Sequence, residues 1–201
     1  MLRTLGNFTL VTLLALMAAC ALLICGSQDP LYTTQSLLSR GRYHRYDTLI
    51  REVGAEYHVD PMLIKAVAWR ESGFRPGKVG KNGERGLMQV MEAAASDWAK
   101  QKKRAGFVPD DLFDPHTNLE AGTWYLKKAL TRYASKDDPM TFALAEYNAG
   151  KSRVDKWVGD TNQGAGATAG DLRDSISFPS TREYVDTIID RYRFYQHQGH
   201  L

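Results

Sequence analysis

The strongest local signal in the sequence lies at residues 60–73, which read DPMLIKAVAWRESG. Asp60 can cap a helix N-terminus with its carboxylate, and Pro61 has the fixed φ angle that suits the first helical position. Gly73 is the residue type that most often follows the last turn of a helix. The segment therefore predicts a helix over residues 61–72.

This helix directs a carboxyl group along its apolar side. Glu71 lies four residues after Val67 and three after Ala68, so it continues their apolar stripe. Burial and the negative end of the helix dipole both disfavour a charged carboxylate, and the sequence therefore predicts a raised pKa for Glu71. A protonated carboxyl group of this kind can donate its proton to a glycosidic oxygen. The helical pattern alone leaves open a boundary glutamate that points to solvent.

Helical periodicity covers most of the remaining sequence. Apolar residues at three- and four-residue spacing predict a helix that begins near Tyr43 and ends near Gly54 and His58. Four further helices are predicted over residues 92–104, 118–133, 139–147 and 181–196. Alternation of polar and apolar residues is scarce, and only a short β-hairpin around Lys78 to Arg85 is expected. The predicted fold class is therefore mainly α.

Two glycine-rich segments interrupt this pattern, at residues 73–85 and 159–170. Long loops in a compact domain often serve a binding site or a lid. For the second segment an idle, disordered loop is an equal alternative, because it contains almost no large apolar residue.

The amino-terminal segment differs from the rest of the chain. Arg3 precedes an almost uncharged run over residues 8–24, which is typical of an export signal or a single membrane anchor. We therefore expect a signal peptide or a membrane or lipid anchor at residues 1–26, a linker at 27–40 and one folded domain at 41–201. Such a segment places the folded domain outside the cytoplasm, in the periplasm or cell envelope.

Three fates of this segment remain open. Cys20 follows Met17-Ala18-Ala19 as in a lipobox, cleavage could occur near Gly26-Ser27, or the run could stay uncleaved as an anchor close to the lower length limit for a bilayer span. Cys20 and Cys25 are the two cysteines of the chain. No disulfide or thiolate metal site is therefore expected in the folded domain.

The composition excludes several classes of protein. With 43% apolar and 24% charged residues, the chain is typical of a soluble globular protein and unlike a disordered or polytopic membrane protein. A net charge of +3 is compatible with an anionic polymer as partner. Basic residues do not gather into a patch with aromatic side chains, so no nucleic-acid partner is expected.

Four short motifs follow one another along the folded part. They are Glu71-Ser72-Gly73-Phe74, Gly86-Leu87-Met88-Gln89, Ala145-Glu146-Tyr147-Asn148-Ala149-Gly150 and Thr181-Arg182-Glu183-Tyr184-Val185. In order and spacing, this set resembles the bacterial lytic transglycosylases of the soluble (SLT) type, which are related to goose-type lysozymes. The resemblance covers about residues 45–195 and implies a lysozyme-like α-helical catalytic domain with a substrate cleft.

The resemblance also implies a role for each motif residue. Glu71 matches the single catalytic acid and base. The residues that match substrate-binding positions are Ser72, Met88, Gln89, Tyr147, Asn148 and Tyr184. Among them Met88 and Gln89 would contact the saccharide, and the Tyr184 hydroxyl would point towards the reacting sugar. Plain alternatives remain for these six, as core side chains, a helix C-cap or a hydroxyl facing water.

The implied reaction is cleavage of the β-1,4 bond between N-acetylmuramic acid and N-acetylglucosamine, which leaves a 1,6-anhydromuramyl end. It requires no metal or organic cofactor. The expected partners are the glycan strands of peptidoglycan and, through the amino-terminal segment, the membrane, and a monomer is expected. One alternative is a muramidase on the same fold, with Glu84 or Asp97 as the second carboxylate that most glycosidases need. A non-catalytic peptidoglycan-binding module is the other.

Some positions depart from the pattern of the family. Gly80 stands where the family often has a serine that bonds the acetamido group of the substrate, so another group must orient the substrate there. Met91 and Glu92 stand where a proline is common, and Ser180 replaces a frequent acidic residue. Residues 111–115 and 118–122 also resemble the family, and they argue for the fold without implying chemistry.

Overall fold

The structure is a computed structural model that describes residues 2–27, 29–39, 41–161, 163–199 and 201. It describes their side chains except those of residues 2–11, 23 and 165. The Arg3 side chain, Met1 of the expected signal, Gln28 and Arg40 of the expected linker, and Asn162 of the second glycine-rich segment therefore lie outside the description. The chain forms two compact units, one ending at Arg45 and one running from Tyr46 to Leu201.

The amino-terminal unit contains two helices, α1 (Leu2–Cys25) and α2 (Pro30–Leu38). Helix α2 lies inside the segment expected to be a linker. It begins with the same Asp-Pro signal as the helix at residues 61–72. Asp29 is its N-cap and accepts a hydrogen bond of 2.7 Å from the Tyr32 amide, and Pro30 occupies the first helical position. In the described part of the chain, none of the helices combines the length and hydropathy that a bilayer span requires.

The second unit contains the remaining helices. They are α3 (Asp47–Tyr57), α4 (Pro61–Ser72), α5 (Glu92–Gln101), α6 (Pro115–Arg132), α7 (Pro139–Ala149), α8 (Lys151–Gly159), α9 (Ala169–Ser175) and α10 (Pro179–Gln198). Short 3₁₀ helices occupy Pro109–Phe113 and Gly164–Gly166. The predicted fold class, mainly α, is confirmed, and helix α4 has the predicted bounds.

Three local predictions differ from the structure. The hairpin expected around Lys78 to Arg85 is reduced, among the described residues, to isolated antiparallel bridges of Arg85 with Val79 and Val90. The helix expected to reach residue 104 ends at Gln101, because Lys103 adopts a positive φ of 54°. Helices α8 and α9 were not predicted, and α9 begins within the segment expected to be a long loop.

Helix α4 is largely buried within the second unit. It packs against α3 and α10, while α6 and α7 pack against each other. Ile64, Val67 and Ala68 are fully buried. The buried Lys65 forms an ion pair of 2.6 Å with Asp47 of α3, which fixes the two helices to each other. The end of α4 that carries Glu71 is thereby held by the core.

Candidate active site

Glu71 occupies the last turn of α4. Gly73 ends the helix in the left-handed conformation with φ of 58°, and its amide donates to the Trp69 carbonyl at 2.9 Å. The Glu71 residue is only partly exposed, as the apolar stripe predicts. The Tyr184 hydroxyl, from the first half of α10, donates a hydrogen bond of 2.6 Å to Glu71 Oε1.

Burial raises the pKa of Glu71 to about 7. This effect outweighs the hydrogen bond from Tyr184 and the positive charges of Lys78 and Arg70, which all lower the pKa. The negative charge of Glu84 adds a smaller increase. The predicted raised pKa is thus confirmed, and desolvation is its main cause. At neutral pH the Glu71 carboxyl group exists in both protonation states, as a group that gives and later accepts a proton requires.

Two cations lie around this carboxyl group without forming an ion pair with it. Lys78 Nζ donates to the backbone carbonyl of Glu71, one of the carbonyls that a helix end leaves without a partner. The Arg70 guanidinium lies over the Tyr184 ring, 5.6 Å from its centroid. Sequence analysis did not identify Lys78, because a contact across a glycine-rich loop has no periodic signal.

The turn at Gly86 to Gln89 is held by a buried asparagine. Asn118 Oδ1 accepts from the Met88 amide at 2.7 Å, and Asn118 Nδ2 donates to the carbonyls of Arg85 at 2.7 Å and Leu112 at 2.8 Å. Gly86 has a φ of 79°, and a Cβ at this position would collide with the Asn118 amide. The role of Asn118 is therefore structural, as expected for residues 118–122.

Gln89 is fixed by two hydrogen bonds to backbone carbonyls. Its Nε2 donates to Lys78 at 3.1 Å and to Gly86 at 3.0 Å. The residue has a positive φ of 48°, which is uncommon for a side chain of this kind. Because both amide hydrogens are engaged, the carbonyl oxygen Oε1 of Gln89 is the atom that remains to accept a bond from a ligand.

Tyr147 and Met88 pack together beneath the turn. The Tyr147 hydroxyl donates to the Met88 carbonyl at 2.9 Å, and the Tyr125 ring lies edge-on to Tyr147 at 5.6 Å. A Cβ on Gly122 would come within 2.8 Å of Met88 Cβ and 3.1 Å of the Tyr147 hydroxyl, so this close packing requires glycine. Burial and the negative charge of Glu71 raise the pKa of Tyr147 well above its usual value.

Three of the expected substrate-binding residues are buried, namely Ser72, Met88 and Tyr184, and the Tyr184 hydroxyl is bonded to Glu71. Met88 is fully buried, so its side chain has no surface with which to contact a saccharide. Ser72 is also buried, and its hydroxyl donates to the Ala68 carbonyl at 3.1 Å and accepts from the Arg75 amide at 3.2 Å. Met88 and Ser72 therefore form part of the packed core next to the site, rather than its surface.

Asn148 connects the end of α7 to the start of α10. Its Oδ1 accepts a hydrogen bond of 2.7 Å from the Thr181 hydroxyl, while the Asn148 residue itself is exposed. The neighbouring Glu146 is buried, and the Tyr133 hydroxyl donates to its Oε2 at 2.9 Å. Arg132 pairs with the other carboxylate oxygen. Glu146 therefore holds α6 to α7 and is not available as a second reacting carboxylate.

A cleft of about 640 Å³ opens beside this cluster. Gln89, Tyr147 and Asn148 line it, and Glu84 and Asp97, the two candidate second carboxylates, line it as well. Glu71 is not among the residues that line this cleft, but its charge interacts with two that do, Tyr147 and Glu84. Across the portion of the chain that the structure describes, no cluster of His, Cys, Asp and Glu side chains could hold a metal ion.

The transglycosylase SLT domain family matches residues 48–169, more than half of the chain. The chain belongs to this family. The chain is 30% identical to the soluble lytic murein transglycosylase of Escherichia coli over 153 residues, which are 76% of this chain and 23% of that protein. It is 35% identical to the membrane-bound lytic murein transglycosylase C of Yersinia pestis over 119 residues, which are 56% of this chain and 33% of that protein.

Solved structures agree with this assignment. The soluble lytic transglycosylase of Escherichia coli superposes with a TM-score of 0.69 at 29% identity, over 83% of this chain and 27% of that chain. An inactive mutant of the lytic transglycosylase Slt from Pseudomonas aeruginosa superposes with a TM-score of 0.68 at 21% identity, over 84% of this chain and 28% of that one, and this match speaks for the fold alone. The chain thus spans about a quarter of the length of the soluble relatives it matches.

Proposed function

We propose that the chain is a peptidoglycan lytic transglycosylase in which Glu71 is the single catalytic acid and base. It cleaves the β-1,4 bond between N-acetylmuramic acid and N-acetylglucosamine and leaves a 1,6-anhydromuramyl end. The observation that carries this proposal is the Glu71 carboxyl group of this SLT domain, which is partly buried, hydrogen-bonded to Tyr184 and has a pKa raised to about 7. The names of the relatives, which are lytic murein transglycosylases, support the same reaction.

The hydrogen bond to Tyr184 assigns different tasks to the two Glu71 oxygens. Oε1 accepts from the Tyr184 hydroxyl, so the proton resides on Oε2. In the first step Oε2 donates this proton to the glycosidic oxygen as the bond to C1 breaks. In the second step the muramyl 6-hydroxyl attacks C1 and returns its proton to Glu71. No water is consumed, and the protonation state of the enzyme is restored.

Positive charge develops at C1 between these two steps. The acetamido group of the substrate can stabilise it, and the ionised Glu71 lies close by. Gln89, Tyr147 and Asn148 are the cleft residues that would contact the glycan, and Tyr184 orients the acid. Ser72 and Met88 are buried, which favours a structural role for both. Ser72 would fix the position of the acid and Met88 that of the turn.

A muramidase is the competing activity, because Glu84 and Asp97 line the same cleft. A hydrolase would use one of these carboxylates to activate a water molecule. The names of the relatives support the transglycosylase. Glu146, another carboxylate near the site, is buried and already bonded to Arg132 and Tyr133, so it does not serve as the second carboxylate of a hydrolase. The two activities differ by one water molecule in the mass of the product.

We further propose that residues 41–201 act as the catalytic domain outside the cytoplasm and that residues 1–26 direct export or attachment to the envelope. The Arg3 and apolar-run pattern supports export, and a membrane-bound relative is compatible with attachment. Peptidoglycan, the proposed substrate, lies in that compartment. The domain is proposed to act as a monomer, with no cofactor.

The proposal is tested by digesting purified peptidoglycan with the wild-type chain and with Glu71→Gln, followed by mass analysis of the soluble products. We expect products one water lighter than hydrolytic products from the wild type and none from the variant. Glu183→Gln is the matched control, since Glu183 is exposed on α10 beside Tyr184, and it should cleave normally. Full-mass reducing ends would instead identify a muramidase, and undiminished cleavage by Glu71→Gln would refute the assigned acid.

A further inference from the structure

A second concavity of the domain lies beside the end of α5 and has a volume of about 360 Å³. We call it the basic pocket, and its walls include Ser96, Ala99, Lys100, Lys103, Arg104 and Phe107. Three of these side chains are cationic, and among the described residues no carboxylate lines the pocket. Basic residues were not expected to gather beside aromatic side chains, but the turn after α5 brings them next to Phe107.

The end of α5 presents cations to this pocket rather than free carbonyl groups. The amides of residues 102–104 donate to the carbonyls of residues 98–100 at 2.9 to 3.1 Å. Lys103, with its positive φ of 54°, lies within this tight turn. The bonds occupy the carbonyls that form the negative end of the helix dipole. An anion in the pocket therefore meets ammonium and guanidinium groups first.

The positive charge of the basic pocket is only partly neutralised. Arg104 lies over the Trp98 ring, 5.3 Å from its centroid, and its Nη1 is 3.8 Å from Glu120 Oε2. Across the part of the chain that the structure describes, no carboxylate lies within ion-pair distance of Lys100 or Lys103, and both residues are exposed. The pocket thus keeps an excess of positive charge that attracts an anionic group.

The basic pocket and the cleft lie on adjacent faces of α5. Asp97 lines the cleft and Lys100 lines the pocket, and residues three apart are neighbours on the surface of a helix. Ala93 of the cleft and Ser96 of the pocket have the same relationship one turn earlier. A glycan strand that leaves the cleft across α5 therefore reaches the basic pocket.

We propose that the basic pocket is an outer subsite for the glycan strand and binds a carboxylate borne by a muramyl residue. This inference rests on the proposed function. N-Acetylglucosamine is uncharged, whereas N-acetylmuramic acid carries either its lactyl carboxylate or, when the lactyl group is amide-linked, the carboxylates of the attached peptide. Lys100, Lys103 and Arg104 bind such a group through charge-assisted hydrogen bonds. Three cations around one small pocket suit a single carboxylate better than the many phosphates of a nucleic acid.

The first test measures binding apart from cleavage, in the full chain carrying Glu71→Gln. The charged probes are soluble glycan strands that bear peptides and strands from which an amidase has removed the peptides. Adding Lys100→Gln and Lys103→Gln together should weaken binding of at least one charged probe by about 5-fold or more, as expected for the loss of two exposed charge pairs. The probe that responds identifies the peptide or the lactyl group as the source of the carboxylate.

Neutral probes separate charge recognition from a change in structure. The same strands with their carboxylates converted to amides, and the N-acetylglucosamine hexamer, should bind within about 2-fold of the parent affinity, since exposed charge pairs are lost only where a carboxylate is present. High salt should reduce the difference between parent and variant for the charged probes. Equal weakening for charged and neutral probes, or no weakening for either charged probe, would overturn the inference.

The control removes the same amount of charge elsewhere on the domain. Lys128→Gln and Lys156→Gln together replace two exposed lysines of α6 and α8 that do not line the basic pocket. This variant should bind every probe like the parent chain. A loss equal to that of the Lys100 and Lys103 variant would show that overall charge, rather than the pocket, attracts the strand.

The second test locates the carboxylate on the domain. In the Glu71→Gln chain, the charged strand that responds in the first test should shift the backbone amide NMR signals of residues 105–107 together with those of the cleft. The amidated form of that strand should shift the cleft signals alone. Shifts confined to the cleft with both forms would contradict the proposal. Cleavage by Glu71→Gln, or full-mass products from the wild type, would instead refute the proposed function.

Discussion

The Tyr184 hydroxyl donates a hydrogen bond of 2.6 Å to Glu71 Oε1, although 113 residues separate the two in sequence. The bond joins α10 to the last turn of α4, and in the proposed reaction it leaves Oε2 as the oxygen that faces the glycan. It also lowers the pKa of Glu71. The acid is therefore oriented and tuned by one phenol, whose own pKa is raised well above its usual value, first by burial and then by the Glu71 charge.

Tyr184→Phe should lower kcat by about 10- to 100-fold, as expected for loss of a hydrogen bond to a charged group. It should also raise the pKa of Glu71, so that the fall in activity at alkaline pH occurs at higher pH than in the wild type. Initial rates of anhydro-product release measured across pH test both effects.

Tyr192→Phe is the matched control for this substitution. The Tyr192 hydroxyl donates 2.7 Å to Asp60 Oδ2, so the control removes a tyrosine–carboxylate bond between the same two helices at the other end of α4. We expect its kcat and pH profile to remain those of the wild type. Parallel changes in both variants would mean that helix packing, rather than the Glu71 contact, causes the effect.

Lys78→Met should shift the alkaline limb of the activity profile to higher pH. The positive charge of Lys78 lowers the pKa of Glu71, so its removal favours the protonated acid. Lys81→Met removes a positive charge from an exposed position of the same loop and should leave the limb in place. A shift to lower pH in Lys78→Met would contradict this account.

The raised pKa of Glu71 also predicts how stability depends on pH. The pKa is about 7 in the folded chain and 4.5 in the reference state, so between these values the folded state binds more protons than the unfolded state. The stabilisation is fully present below pH 4.5 and is lost as pH rises through 7. Glu71→Gln has no group that titrates at this position, so its stability does not fall in this way. The free energy of unfolding of Glu71→Gln minus that of the wild type should therefore rise by up to about 3 kcal/mol between pH 4.5 and pH 8.

Urea unfolding of both chains at several pH values measures this difference. Glu183→Gln, which removes an exposed carboxylate, should follow the wild type at every pH. A constant difference between wild type and Glu71→Gln across the pH range would show that the Glu71 carboxyl group titrates alike in the folded and unfolded states.

Asn118→Ala should destabilise the domain by about 3 kcal/mol or more, because it leaves the Met88 amide and two carbonyls buried without their partner. Activity should fall with it, since the turn that positions Gln89 is no longer held. Asn148→Ala, which removes one hydrogen bond at an exposed residue, should cost only about 1 kcal/mol. Equal destabilisation by the two variants in thermal unfolding would contradict the assigned role of Asn118.

Local signals in the sequence predicted helix α4 and the direction of Glu71. Asp60, Pro61 and Gly73 determine where α4 begins and ends, and the stripe of Val67 and Ala68 sets its buried side. The same start signal precedes α2 and α6, at Asp29-Pro30 and at Asp114-Pro115. Apolar periodicity alone does not indicate α2, and it places the start of α6 three residues late.

Contacts between segments that are distant in the sequence could not be predicted from helical periodicity or capping signals. Lys78 reaches the Glu71 carbonyl across a loop, and nothing in helical periodicity indicates such a contact. The Glu84 carboxylate lies beside Gly80, and this proximity depends on the path of the loop in three dimensions. The motif that contains Met88 predicts a contact with the glycan. Its side chain instead packs in the core against Gly122, where the missing Cβ leaves room for it. The pairing of Tyr184 with Glu71 was suggested only by the resemblance to a family.

The most direct test of the central claim is a titration of the Glu71 carboxyl carbon by ¹³C NMR, with Glu71→Gln used to assign its signal. We predict a midpoint near pH 7, set by burial against the opposing effects of Tyr184, Lys78 and Arg70. A midpoint near 4.5, the ordinary value for a glutamate, would contradict the account, because the group would then be ionised at neutral pH and could not act as the acid.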